Sequence, residues 1–260
     1  MGDLAHSYGL DMTVHHHPLG FSYGDEVTGP MPEIRQLDQI RASLRDPHCE
    51  GPQEVYAIAM DVARMQDREE LKKRMLLFGV VTYAAGRLGE EPVRSQGHIH
   101  RISLHSGWSP PELYEIWQGK AIIYMQEYVE DDPGRCFAVI AGPGEKVLVP
   151  PGWGHATISA DPDVPLTFGA WCDREYGFEY DAVRAHKGLA WYPLLQGNNV
   201  IWQHNPRYIP GRLQAVTPRQ YTEFSITSAP VYQQFIEDPA RFQFISRPDK
   251  HPELWQNFHP

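Results

Sequence analysis

A chain of 260 residues, 42% hydrophobic and 22% charged, can bury the core of one large domain, which excludes a disordered or collagen-like polymer. Lys and Arg total 23 against 33 Asp and Glu, a net charge of -10 whose sign argues against a nucleic-acid backbone as partner. With 22 Gly, 23 Pro and 12% aromatic residues the composition favours short strands and tight turns over a helix bundle, and 13 His exceed ordinary usage.

The start of the chain, MGDLAHSYGLDMTVHHHPLG, has no basic stretch followed by an apolar core, so no secretory signal is expected. No window approaches the roughly 18 uninterrupted apolar residues of a membrane span. Cys49, Cys136 and Cys172 form no CxxC pair, which argues against a disulfide framework and a cysteine zinc site and points to a reducing, cytoplasmic setting. The triplet His15-His16-His17, followed at once by Pro18, reads as an extended, solvated arm.

In chain order, Pro32-Glu33-Ile34 opens a first expected helix carrying Ile34, Leu37, Ile40 and Leu44, with Pro47 ending it. A second helix is expected from Tyr56 to Met75, with Ile58, Val62, Met65 and Leu71 as its packing residues. From Leu76 the character turns β-branched, LLFGVVTYAA, and strands alternate with turns as far as Trp171. Strands are expected at His98 to Ile102, Leu113 to Trp117, Ala121 to Glu127, Cys136 to Ile140, Lys146 to Val149, His155 to Ser159 and Leu166 to Trp171. Gly119, Pro133-Gly134, Gly142-Pro143-Gly144 and Pro150-Pro151-Gly152 punctuate them, the pattern of a sandwich or barrel. Beyond Trp191 a tail with one short helix at Ala229 to Asp238 is expected to wrap the core. The expected division is residues 1–75 as an arm and helices, 76–190 as the barrel and 191–260 as a C-terminal extension.

Chemistry concentrates at Gly97-His98-Ile99-His100. On a strand, side chains i and i+2 share a face, so His98 and His100 present two imidazoles to one ion while Ile99 faces away. A carboxylate follows in the segment 111–119, PELYEIWQG, where Glu112 and Glu115 are both available, and a third imidazole follows at His155 after a glycine-rich turn. Three imidazoles and one carboxylate suit a divalent first-row metal with positions left for substrate oxygens.

Two spaced motifs carry a resemblance. His98, His100, Glu112 and Gly119 meet the first cupin motif, with six residues between Glu112 and Gly119; Gly144, Pro150, Gly152 and His155 meet the second. Within the cupins, GHIH, PELYEIWQGKAIIYMQ, VLVPPGWGHATIS and GAWCDREYGFEYDAV resemble the cupin-type, or archaeal-type, glucose-6-phosphate isomerases in a longer bacterial form, over about Leu76 to Gly188. The resemblance implies an all-β double-stranded β-helix (jelly-roll) barrel, here with N-terminal helices and a C-terminal extension. It implies one divalent ion per subunit, Fe2+, Mn2+ or Zn2+, held by His98, His100, Glu112 and His155. Glu112 is preferred to Glu115 because it keeps the interval to Gly119 and shares a strand face with Tyr114.

The implied activity is metal-dependent isomerisation of glucose 6-phosphate to fructose 6-phosphate in glycolysis and gluconeogenesis, through a cis-enediol or a hydride shift, by a cytoplasmic homodimer. Glu112 and Tyr114 are the implied catalytic residues. Thr82, Ser95, Gly97 and Tyr180 are the implied substrate contacts, the first three at the phosphate. The chain departs from archaeal relatives in a longer loop, RISLHSGWSPP, between His100 and Glu112, and in Phe178 where they carry a histidine. The competing readings are a mannose 6-phosphate isomerase and a mononuclear-iron cupin dioxygenase.

Overall fold

The computed structural model describes residues 4–260; the first three residues of the expected arm lie outside them. Ten strands build two main sheets: β1 (Glu33–Gln36), β2 (Glu54–Met60), β3 (Leu76–Tyr83), β4 (Glu112–Gln118), β5 (Ala121–Gln126), β6 (Cys136–Ala141), β7 (Lys146–Val149), β8 (Gly154–Ser159), β9 (Leu166–Asp173) and β10 (Leu213–Val216). The larger sheet runs β7-β4-β9-β3-β2-β1 and the smaller β8-β5-β6-β10. Pairing is antiparallel throughout except that β10 lies parallel to β6. The expected all-β jelly-roll architecture is present, with strands close to the positions expected from Leu76 to Trp171.

The two sheets face each other over a core that includes Val81, Ile116, Ile123, Phe137, Val147 and Phe168. The outer face of the larger sheet, with Phe78, Val80, Trp117 and Trp171, is clothed by the hairpin Met12–His16/Leu19–Tyr23 and by the tail helices Val231–Glu237 and Gln243–Ser246. The outer face of the smaller sheet, with Tyr124, Ala138 and Ile158, is covered by Leu189, Tyr208 and the hairpin Trp191–Gln196/Asn199–His204. Apolar burial on both faces explains why β3 and β9 read as continuous hydrophobic runs without a polar alternation.

The helices expected at the amino-terminal end are replaced. Ile34 lies in β1, while Leu37, Ile40 and Leu44 are buried from the two short 3-10 turns Leu37–Gln39 and Arg41–Ser43 and the residue that follows them. The i, i+3, i+6 spacing read as an α-helix is the three-residue period of 3-10 turns. Residues 54–60 form β2, because Val55, Ala57 and Ala59 pack on one face and Tyr56, Ile58 and Met60 meet the space between the sheets on the other. Of the second expected helix only Arg68–Lys73 is α-helical, preceded by the 3-10 turn Met65–Asp67. The triplet His15-His16-His17 is no solvated arm either: His15 and His16 end a hairpin strand, and His16 bonds Thr82 Oγ1 at 3.2 Å and Gln118 Oε1 at 3.3 Å. The sheets therefore take β1 and β2 from before residue 76 and β10 from beyond residue 190. Among the described residues no helix is long and apolar enough to cross a membrane.

Glu115 occupies the outer face of β4, 1% exposed, with Lys146 Nζ 3.3 Å from Oε1, the Val231 N–H donating to both oxygens at 3.2 and 3.3 Å, and the Trp117 indole N–H donating at 3.3 Å. Burial pushes its carboxyl up to about 7 against the pull of Lys146 and these donors. Because the folded state holds this proton above the unfolded carboxyl range, stability from Glu115 is present at low pH and is lost as pH rises from about 4.5 to 7. The loss is on the order of 3 kcal/mol. In Glu115→Gln, denaturant unfolding across this window should lose that slope, whereas the cost of leaving Lys146 to the Gly144 and Ser228 carbonyls stays constant with pH. Equal slopes in the two proteins would exclude Glu115 as the source.

Candidate active site

A cavity of about 340 Å³ opens between the sheets and is lined by β1, β2, β3, β4, β9 and the segment 95–98. His98 and His155 form an isolated antiparallel bridge, each amide donating to the other's carbonyl at 3.0 and 2.9 Å, which pins the His98/His100 pair beside β8. Gly97 makes the turn into the pair with φ +87°, and a Cβ there would fall 2.9 Å from Leu189 Cδ1, so only glycine enters this position without strain. Glu112 opens β4, across from Val149 of β7. Gly119, at φ +78°, closes the turn from β4 to β5, which is why the motif needs glycine after Glu112.

Ligand atoms of His98, His100, Glu112 and His155 all lie within 4.8 Å of one another. Glu112 Oε2 is 3.2 Å from His100 Nε2 and 3.3 Å from His155 Nε2. His100 Nδ1 is 2.8 Å from the Pro110 carbonyl and His155 Nδ1 is 3.1 Å from the Trp153 carbonyl. Each carbonyl calls for a proton on Nδ1, which leaves the Nε2 lone pairs facing the carboxylate. His98 Nε2 is buried without a hydrogen-bond partner. Burial, with His155 and His100 beside it, pushes His98 well below the usual imidazole range, so it is neutral at pH 7. With protons on Nε2 instead, hydrogen bonds and charge from His100 and His155 hold the Glu112 carboxyl well below the usual range, against the upward push of burial. Lone pairs and a negative oxygen converging on one point are stable together when a cation stands between them.

The remaining expected residues are distributed unevenly. Tyr114 lines the cavity and donates from its hydroxyl to Glu112 Oε2 at 2.7 Å. Tyr180 lines it as well, with its ring centroid 6.1 Å from that of His98 and the Arg184 guanidinium 5.0 Å over its ring. Phe178 packs on His98 at 4.5 Å, an apolar wall in place of a polar contact. Ser95 reaches the cavity, and its Oγ accepts the Thr157 N–H at 3.1 Å. Thr82 does not reach it. Alternation along β3 gives Gly79, Val81 and Tyr83 to the cavity and turns Thr82 to the opposite face, where it bonds Thr167 Oγ1 at 2.9 Å and His16. The hydroxyl expected at the phosphate is thereby replaced by the Val81 side chain.

Sequence reasoning missed three groups. Cys172, read only as one of three cysteines outside any CxxC pair, donates to Glu112 Oε1 at 3.2 Å from β9. Arg35 and Tyr56 line the cavity from β1 and β2, segments expected to be helical. The available signal was the alternation of residues 33–36, Glu-Ile-Arg-Gln, which places Glu33 and Arg35 on one face of a strand.

A family model described as Glucose-6-phosphate isomerase (GPI) matches residues 43–210. The glucose-6-phosphate isomerase of Thermococcus onnurineus is 28% identical over 203 residues, covering 74% of this chain and 96% of that protein. That of Thermococcus litoralis is 28% identical over 155 residues, 60% of this chain and 71% of its own. A putative glucose-6-phosphate isomerase 1 from Rhizobium meliloti is 26% identical over 114 residues, 44% and 49% of the two chains. Among solved structures, an oxalate oxidase in complex with the substrate analogue glycolate overlaps 41% of this chain and 46% of its own, at a TM-score of 0.33 and 14% identity, too loosely to bear on function. The family match runs through β2 to β9 and contains all four converging side chains; the chain belongs to the glucose-6-phosphate isomerase (GPI) family.

Proposed function

We propose that the chain interconverts glucose 6-phosphate and fructose 6-phosphate, as a cytoplasmic homodimer holding one divalent ion, Fe2+, Mn2+ or Zn2+, per subunit. The observation that carries this reading is the convergence of His98, His100, Glu112 and His155 within 4.8 Å, with His98 and Glu112 on the wall of a cavity large enough for a hexose phosphate. The partnerless Nε2 of His98 and the outward-turned Nδ1 atoms of His100 and His155 fit such an ion. When bound, it supplies Lewis acidity toward the sugar's O1 and O2.

The two oxygens of Glu112 have different surroundings. Oε2 faces His100, His155 and the Tyr114 hydroxyl, whereas Oε1 receives the Cys172 thiol. We assign Oε1 to take the proton from C2 and return it to C1 while the O2 hydroxyl proton passes to O1, which together turn aldose into ketose through an enediol. Tyr114, whose phenol burial pushes well above its usual value, stays protonated and holds the carboxylate by its other oxygen. Phe168, Ala170 and Phe178 keep the reacting carbons in apolar surroundings, which limits loss of that proton to water.

A coupled assay on fructose 6-phosphate tests the reading. Turnover is expected with metal-loaded protein, abolished by a chelator and undiminished without oxygen; metal-loaded protein with no turnover would remove it. Activity that needed oxygen would favour the dioxygenase, and preference for mannose 6-phosphate the other isomerase. Deuterium from solvent should appear at C2, and a complete absence of exchange would count against the enediol route.

A further inference from the structure

We propose that Arg35, on β1, receives the anionic end of the substrate; this assignment rests on the phosphosugar reading for the identity of that anion. Among the described residues Arg35 is the one Lys or Arg side chain lining the cavity, where the other charged side chains, Glu33 and Glu112, are carboxylates. In a chain of net charge -10 a cation on the cavity wall favours entry of a phosphate. Of the two hydroxyls expected to serve, Thr82 faces the other side of β3, which leaves Ser95 with a single O–H to donate while its Oγ accepts the Thr157 N–H.

Arg35 keeps donor capacity beyond its contacts with Glu33 and Tyr56. Its side chain is 16% exposed, and its Nε is buried with no hydrogen-bond partner. Its ion pair is to Glu33, 2.8 Å away on the same strand face and 63% exposed, a partner well solvated without it. Guanidinium presents several N–H groups in one plane, which suits two phosphate oxygens better than a single mobile carboxylate. Arg35 also hydrogen-bonds the Tyr56 hydroxyl and acts electrostatically on Tyr180. Tyr180 and Phe178 pack 6.2 Å apart and both meet His98, at 6.1 and 4.5 Å, so Tyr180 borders both Arg35 and the histidine cluster. A sugar held by its phosphate at Arg35 extends past the rings toward His98, which puts its first two carbons at the cluster. Arg35 is in this sense a specificity-determining residue, and its strand, outside the recognised motifs, is part of the site.

The test uses full-length, metal-loaded protein, the variants Arg35→Ala, Arg35→Lys and Glu33→Gln, and two readouts: calorimetric binding of inorganic phosphate and KM and kcat on fructose 6-phosphate. Arg35→Ala should weaken phosphate and raise KM by about 30- to 100-fold, with kcat within a few fold and metal content unchanged. Arg35→Lys should recover part of the loss, and Glu33→Gln, which removes the competing carboxylate, should tighten phosphate a few fold. A role confined to the ion pair predicts instead that Arg35→Ala and Glu33→Gln shift phosphate binding in the same direction, and that result overturns the assignment. So does wild-type protein that binds no phosphate, or an Arg35→Ala protein that binds it as wild type does. Arg35-dependent phosphate binding without fructose 6-phosphate turnover would support the anion site while removing the isomerase reading.

Discussion

Replacing His98 with alanine should abolish both metal binding and turnover in a protein that remains folded. Its Nε2 has no hydrogen-bond partner, so the substitution breaks no side-chain hydrogen bond of that atom and removes one corner of the converging set. The expected loss in kcat/KM is at least ~10³-fold, about 4 kcal/mol of transition-state stabilisation. Metal stoichiometry by elemental analysis should fall in parallel while circular dichroism is unchanged. Glu112→Gln should match this loss of activity, since it removes the charge that His100 and His155 face and the oxygen assigned to carry the proton. Glu115→Gln should leave activity within a few fold, because that carboxylate lies on the outer face of β4 against Lys146 and Val231. Interchanged results for the two glutamates would overturn the ligand assignment.

Trp171→Ala should be among the most damaging substitutions for stability. The indole is fully buried on the outer face of β9 and packs on Phe78 and Phe235 at 4.8 Å each, Phe242 at 5.1 Å and Tyr232 at 5.6 Å, with its N–H donating to the Val231 carbonyl at 3.4 Å. It thus joins the tail helices to the larger sheet. Truncation leaves a cavity that these rings cannot all move to fill, at a cost of about 3–5 kcal/mol. Denaturant unfolding should show the midpoint shift. A cost below about 1 kcal/mol would mean that the tail is not anchored through this side chain. Activity per folded molecule should fall less than stability, although Ala170 and Cys172 on the same strand face the cavity and the carboxylate.

The barrel from Leu76 to Trp171 was legible because its turns are written in glycine and proline and its strands in β-branched residues, signals that survive without tertiary context. The four converging side chains were legible for a related reason: the i, i+2 rule for His98 and His100 and the fixed intervals to Gly119 and Gly152 encode backbone geometry directly. Thr82 shows the limit. In β3, buried on both faces, Val81 and Thr82 are equally plausible cavity residues by composition, and only the register to β9, which sets Thr82 opposite Thr167, decides between them. Arg35 was lost for a different reason. Leu37, Ile40 and Leu44 are buried at a helix-like spacing, and that local pattern overrode a four-residue edge strand whose partner, β2, is 18 residues further on. Cys172 had no sequence signal, since its contact with Glu112 joins strands 60 residues apart.

The long connection between His100 and Glu112 is fastened at both ends. The Pro110 carbonyl holds His100 Nδ1 at 2.8 Å, and Ser109 Oγ donates to the His100 carbonyl at 2.6 Å, while further out Ser103 Oγ and the His105 N–H donate to Glu175. Between these clamps Leu104 stands 92% exposed. Length and catalytic geometry are therefore uncoupled here: chain can be gained or lost at the apex over evolutionary time while the imidazole keeps its orientation. The same uncoupling makes the apex a place to graft a reporter or a recognition peptide onto the barrel without touching its chemistry.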